Sequence, residues 1–283
     1  MAQKVTAPAV RSRKVASGAQ PLVMVTAYDA PGARIADEAG VDMILVGDSL
    51  AMVVLGYDDT LQVTTADMAH HVAAVARAKP KALVVGDLPW LSYHVSVDDT
   101  VRNAATLVRA GAEAVKLEGG RKRVRMIEAI VDAEVPVMGH IGLTPQSVHA
   151  MGGFKVQGKE ASAAKALLDD AKALVDAGCF SLVLEGVPDA VARMITESVT
   201  VPTVGIGAGP HCDGQVLVFH DLLGIEDRIA PKFVRRYAHL KADAVEAMRA
   251  YAADVREGRF PSDGESYHLS DDVAELLGLY GAK

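Results

Sequence analysis

Short apolar runs recur along the chain with amphipathic stretches between them. The runs cover residues 22–28, 43–48, 82–88, 114–118, 135–141, 181–185, 203–207 and, least clearly, 215–220. Their near-continuous hydrophobicity predicts strands buried on both faces, the pattern of a parallel sheet covered by helices. Between them, Val97, Val101, Ala104, Ala105, Leu107 and Val108 keep the three-and-four spacing of an amphipathic helix, and Ala163, Leu167, Ala171, Leu174 and Val175 repeat it. Helical stretches stop at Ala39-Gly40, Ala110-Gly111 and Ala177-Gly178, where glycine can take a left-handed cap and turn the chain into the next strand. Eight such units predict an α/β fold, a single (β/α)8 TIM barrel with right-handed crossovers. Residues 1–20 read as an N-terminal arm and residues 226–283 as a helical covering segment, all within one domain spanning 1–283.

The rival arrangement, an open doubly wound sheet, calls for a glycine-rich dinucleotide turn. Gly205-Ile206-Gly207-Ala208-Gly209 follows a strand, but Pro210 comes at once and no acidic residue marks the next strand end. The chain's 283 residues suit a barrel, which takes roughly 250 residues. Twenty-nine Lys and Arg against 36 Asp and Glu leave a net charge of -7 with no basic stripe, which argues against a nucleic-acid partner. No apolar stretch approaches the roughly 20 residues that span a bilayer, so no membrane role is expected. Cys179 and Cys212 lack zinc or disulfide spacing, which fits a reducing, cytoplasmic setting. The basic residues Lys4, Arg11, Arg13 and Lys14 precede no signal-peptide core and read as a short surface helix or an oligomer-contacting arm.

Candidate chemistry lies where three of the runs end in acid: Gly47-Asp48, Gly86-Asp87 and Leu117-Glu118. The C-terminal strand ends form the active face of a barrel, so these carboxylates are expected at one rim, as hard oxygen ligands for Mg²⁺. Without a cation, carboxylates so close together would resist ionising together. Lys116 and Glu118 are two apart, so period-two alternation puts both on the barrel interior. Asp48 is not expected to cap a helix, because the next helix start is Thr64 or Thr65. Glu185 ends a strand across the mouth, in the kind of semi-enclosed setting a proton-abstracting base needs. His140 is read as positioning substrate or loop. His70 and His71, adjacent on a helix, read as a solvated face rather than a joint metal site. Residues 142–147 and 152–159 form a long excursion above the mouth, as lids do.

These residues carry a resemblance to the ketopantoate hydroxymethyltransferase family. The matching stretches, in order, are Val25-Thr26-Ala27-Tyr28-Asp29, Val46-Gly47-Asp48-Ser49, Gly86-Asp87-Leu88-Pro89, Val115-Lys116-Leu117-Glu118-Gly119-Gly120, residues 139–147, residues 152–158, Leu184-Glu185 and residues 202–209. The resemblance implies transfer of a one-carbon unit from methylenetetrahydrofolate, as co-substrate, to 3-methyl-2-oxobutanoate. The product would be 2-dehydropantoate, on the route to pantothenate, formed through an enolate that one Mg²⁺ per subunit stabilises. It implies Asp48 and Asp87 as metal ligands with Glu118 completing or supporting the shell. Ser49, Asp87 and Lys116 would hold the oxo acid together with Asp48, and Glu185 would accept the proton. It implies a homo-oligomer, commonly a decamer. The nearest alternative is a carbon-carbon lyase or phosphonomutase of the phosphoenolpyruvate-binding barrels, whose lyases use a cysteine loop that neither Cys179 nor Cys212 matches.

Overall fold

The structure is a computed structural model in which residues 3–228 and 231–279 are described. Contacts divide the chain into two compact units, residues 1–236 and 237–283. The first is a closed barrel of eight parallel strands in sequential order: β1 Leu22–Thr26, β2 Met43–Val46, β3 Leu83–Asp87, β4 Ala114–Glu118, β5 Val137–Gly142, β6 Ser181–Glu185, β7 Thr203–Ile206 and β8 Gly214–Leu217. Helices Ala30–Glu38, Thr65–Ala76, Val97–Ala110, Val124–Asp132, Ala161–Asp176 and Asp189–Ser198 alternate with them.

Period-two alternation sorts the strand residues into two cores. Val25, Ile44, Val46, Val84, Val115, Leu117, Ile141, Leu182 and Leu184 face outward and pack against the helices. Met24, Met43, Leu45, Leu83, Val85, Ala114, Met138, Val183, Val204 and Ile206 fill the interior. The interior rows do not stay apolar. Leu83 and Val85 lead to Asp87, Ala114 to Lys116 and Glu118, Met138 to His140, and Val183 to Glu185, so each row turns polar at the same end of the barrel.

The opposite end is closed by the N-terminal arm. Ala7 and Val10, on helix Ala7–Arg11, join the interior core. Lys4 Nζ donates to the carbonyls of Pro80 and Ala82 at 3.0 and 2.9 Å. Arg13 pairs with Asp42 at 3.0 Å, and Lys14 with the buried Asp213 at 2.7 Å. The expected surface helix is therefore a floor for the barrel, because its two apolar side chains have the open interior beneath them.

Two further expectations are revised. A helical turn, Leu50–Val53, follows β2 directly, although the Asp48 side chain does not cap it. The last strand stops at Leu217 and residues Phe219–Leu222 are helical, with the Phe219 N–H donated to Thr26 Oγ1 at 2.9 Å. In the second unit, residues 237–239 precede helix Leu240–Arg256 and a short helix, Asp271–Leu276, follows later; residues 226–236 belong to the barrel unit and are irregular where described. Among the described residues no helix is long and apolar enough to cross a membrane.

Candidate active site

Strand register assembles the site. Asp87 pairs with Lys116 across β3 and β4, Glu118 with His140 across β4 and β5, and Gly142 with Glu185 across β5 and β6. Lys116 Nζ stands 2.9 Å from Asp87 Oδ1 and 3.9 Å from Glu118 Oε1. His140 Nδ1 lies 3.2 Å from Lys116 Nζ, and its Nε2 is 3.3 Å from Glu185 Oε2. An ammonium only donates, so Nδ1 is the acceptor and the His140 proton sits on Nε2, the nitrogen nearer Glu185. Gly142 has φ +99°, and a Cβ there would come within 2.2 Å of the Glu185 carbonyl oxygen, so only glycine allows β5 to end this close to the Glu185 backbone.

Asp48 follows β2 by two residues and reaches the same cluster: its backbone N–H donates to Asp87 Oδ2 at 3.3 Å. Ser49 Oγ shares a hydrogen bond with Tyr28 OH at 2.9 Å, at the edge of the cluster. A cavity of about 850 Å³ opens over these groups, with Asp48, Asp87, Lys116, Glu118, His140 and Glu185 in its wall. The excursion above the mouth borders it through Leu143, Phe154 and Val156. The Gln157 N–H donates to the Gly186 carbonyl at 2.9 Å, which ties that excursion to the end of β6.

Charge does not balance here. Asp48, Asp87 and Glu118 are all nearly inaccessible to solvent, with Lys116 the ammonium among them. Burial pushes the Asp87 carboxyl up to about 7, against the pull of Lys116. Burial likewise holds Asp48 above its ordinary value and Glu118 well above it. Burial alone would lower Lys116, but Asp87, Glu118 and Asp48 outweigh it and raise the ammonium, so it stays charged. His140 is held low by burial and by Lys116, hence neutral.

The residues fit a hard divalent cation, with one qualification of arrangement. Asp87 Oδ1 meets Lys116 at ion-pair distance and has no other partner among the described residues, leaving a buried oxygen with acceptor capacity. Among the described residues no three acidic, histidine or cysteine side chains converge as a preformed ligand set. Lys116 lies between Asp87 and Glu118, and Gln146 bridges Asp48 and Glu118. That suits Mg²⁺, which takes one or two carboxylates and completes its shell with water and substrate oxygens.

Three contacts had no clear signal in the sequence. His70 is exposed as expected, but His71 is half-buried, with its Nδ1 2.7 Å from the Tyr28 carbonyl oxygen. Gln146 lies in the excursion and Tyr93 in the loop after β3, where no periodicity marks a side chain as buried, yet Gln146 reaches the Asp48 and Glu118 carboxylates and Tyr93 reaches Gln146 and the Glu118 backbone N–H. Glu185 has no lysine or arginine at ion-pair distance among the described residues, so a plain surface salt bridge does not account for it.

Parallel strands with buried acid and base groups at their C-terminal ends define an α/β-barrel enzyme that works at the mouth of the barrel. A family model described as ketopantoate hydroxymethyltransferase matches residues 4–263, and the chain belongs to that family. It is 52% identical over 285 residues to a 3-methyl-2-oxobutanoate hydroxymethyltransferase of Syntrophobacter fumaroxidans, covering 100% of both chains. It is 60% identical to the protein of that name from Ignicoccus hospitalis, covering 86% of this chain and 92% of the relative. A phosphoenolpyruvate phosphomutase from Streptomyces platensis subsp. rosaceus shares the fold, with TM-score 0.58 and 16% identity over 97% of this chain and 96% of that one.

Proposed function

We propose that this protein transfers a one-carbon unit from methylenetetrahydrofolate to 3-methyl-2-oxobutanoate, forming 2-dehydropantoate in pantothenate biosynthesis. The observation that carries the reading is the run of buried ionisable groups along the ends of β2 to β6, with Glu185 beside His140 at one end. Asp48 and Asp87 would hold Mg²⁺, with Glu118 supporting the shell. When bound, the ion supplies positive charge next to the oxo acid oxygens where negative charge develops.

The protein's own groups do the rest. Lys116 is a fixed ammonium that needs no reorganisation to meet an anionic substrate oxygen. Ser49 and Asp87 bound the oxo acid on the side away from Glu185. Glu185 takes the proton from C3, and the neutral His140 stands beside the carboxylate that receives it, its Nε2 3.3 Å from Glu185 Oε2. The resulting carbanionic C3 bonds to the one-carbon unit as that carbon's two bonds to folate nitrogens break. A water molecule supplies the hydroxyl oxygen of 2-dehydropantoate and, with the proton taken from C3, the protons that release tetrahydrofolate. The cavity is far larger than a branched five-carbon acid requires, and its outer wall, with Met52, Phe154, Val156 and Phe233, gives an apolar setting for the larger second substrate.

Residence in the cytoplasm and assembly into a homo-oligomer, decameric as in the family, belong to the same proposal. Two buried, unpaired cysteines support the first. The exposed side chains of Leu55, Tyr57, Trp90, Leu91 and Val95 on the barrel unit support the second.

The test is turnover with the oxo acid, tetrahydrofolate and formaldehyde, followed by proton NMR. The expected result is 2-dehydropantoate formed with Mg²⁺ and suppressed at least 100-fold by EDTA. Cleavage of a carbon-carbon or carbon-phosphorus bond in a 2-oxo or 2-hydroxy acid, without one-carbon transfer, would favour the lyase or phosphonomutase reading instead.

A further inference from the structure

Gln146 makes four hydrogen bonds that leave its amide one possible orientation. The backbone N–H of Glu118 donates to the Tyr93 hydroxyl oxygen at 3.2 Å, so the phenol proton is free to go elsewhere. It goes to Gln146 Oε1, 2.5 Å away. That makes Oε1 the acceptor and turns the amide nitrogen toward two acceptors, Asp48 Oδ2 at 2.9 Å and the Leu88 carbonyl at 3.0 Å. The Gln146 backbone N–H donates in addition to Glu118 Oε2 at 3.1 Å. Reversing the amide would take the acceptor away from the phenol proton and set the amide oxygen against a carboxylate and a carbonyl.

Tyr93 and Gln146 are both almost wholly buried, so water does not compete for these bonds. The Tyr93 ring packs against His94, at 4.3 Å between ring centroids, and the Arg123 guanidinium, 5.4 Å from its centroid. The path is therefore rigid from the loop after β3, through the loop after β5, to the acid that follows β2.

We infer that Tyr93 and Gln146 are positioning residues that fix the rotamer of Asp48, with Gln146 occupying Oδ2 so that Oδ1 is the oxygen presented to a divalent cation. The inference rests on the reading of Asp48 as a cation ligand. Partners that orient a metal-binding carboxylate typically change metal affinity by about 10- to 100-fold when removed. Tyr93 reaches Asp48 only through Gln146, its other contact being the Glu118 backbone N–H, so the two effects on Asp48 should not add.

Isothermal titration of Mg²⁺ into the metal-free full-length protein tests this, alongside kcat and KM for the oxo acid at several Mg²⁺ concentrations. Gln146→Met keeps the side-chain volume and removes both hydrogen-bonding groups. It is expected to raise the Mg²⁺ Kd about 10- to 100-fold, with kcat recovering to within about threefold of wild type when Mg²⁺ is raised in proportion. Tyr93→Phe is expected to raise the Kd about 10-fold, and the double variant to match Gln146→Met alone. An unchanged Mg²⁺ Kd in Gln146→Met, or additive losses in the double variant, would overturn the inference. If Gln146→Met does not fold, Tyr93→Phe alone decides, and an unchanged Kd there would overturn it. A wild-type protein that takes up no Mg²⁺ would instead remove the cation reading on which the inference stands.

Discussion

Replacing Glu185 by Gln is expected to stop exchange of the C3 hydrogen of 3-methyl-2-oxobutanoate with deuterated water and to lower kcat for one-carbon transfer by about 1,000-fold, within the range of a lost general base. Binding of the oxo acid should stay within about threefold of wild type. The amide is isosteric with the carboxylate, so the wall of the cavity keeps its shape while the proton acceptor is gone. Proton NMR in D2O reads the exchange without any folate, which separates the proton transfer from the later carbon-carbon bond formation. Exchange that continues undiminished in the variant would remove Glu185 as the base.

Replacing Lys116 by Met is expected to cost about 3 to 5 kcal/mol of stability, the usual penalty for leaving one member of a buried ion pair without its partner. Asp87 loses its ion-pair partner at 2.9 Å and Glu118 its neighbour at 3.9 Å, and both carboxylates are almost wholly buried. Urea denaturation in EDTA measures the loss. Changing Asp87 to Asn in the same protein should recover part of it, because the acid left unpaired is then neutral. Activity should fall in both, since the fixed ammonium is lost in both. A Lys116→Met variant as stable as wild type, with or without the second change, would mean that the pairing seen in the barrel carries little energy.

Much of this site was legible because a barrel strand is an alternating code. Lys116 and Glu118 had to share the interior with Ala114, and β4 and β6 occupy the very residues, 114–118 and 181–185, that the hydrophobic runs marked. Lys116 turned out to lie closer to Asp87 than to Glu118, a fact of cross-strand register that one strand's pattern does not contain. His140, expected only to position substrate or loop, links Lys116 to Glu185 for the same reason. Tyr93 and Gln146 were not legible as site residues. They sit in loops, where burial follows from tertiary packing rather than from any period, and their roles depend on who donates to whom. The arm was misread because a short amphipathic helix looks the same on a surface as over an open barrel end, and only the buried Ala7 and Val10 distinguish the two. The end of β8 was overrun because the apolar Val216, Leu217, Val218 and Phe219 continue the strand pattern while the backbone at Phe219 already bonds to Thr26.

The most direct test of the account is a crystal of the full-length protein soaked with 3-methyl-2-oxobutanoate and Mn²⁺, measured at a wavelength where manganese scatters anomalously. The account predicts one anomalous peak in the barrel mouth within coordination distance of both Asp48 and Asp87, with the oxo acid against Lys116 and its C3 carbon toward Glu185. A peak away from those two carboxylates, or an oxo acid bound with C3 turned from Glu185, would contradict it.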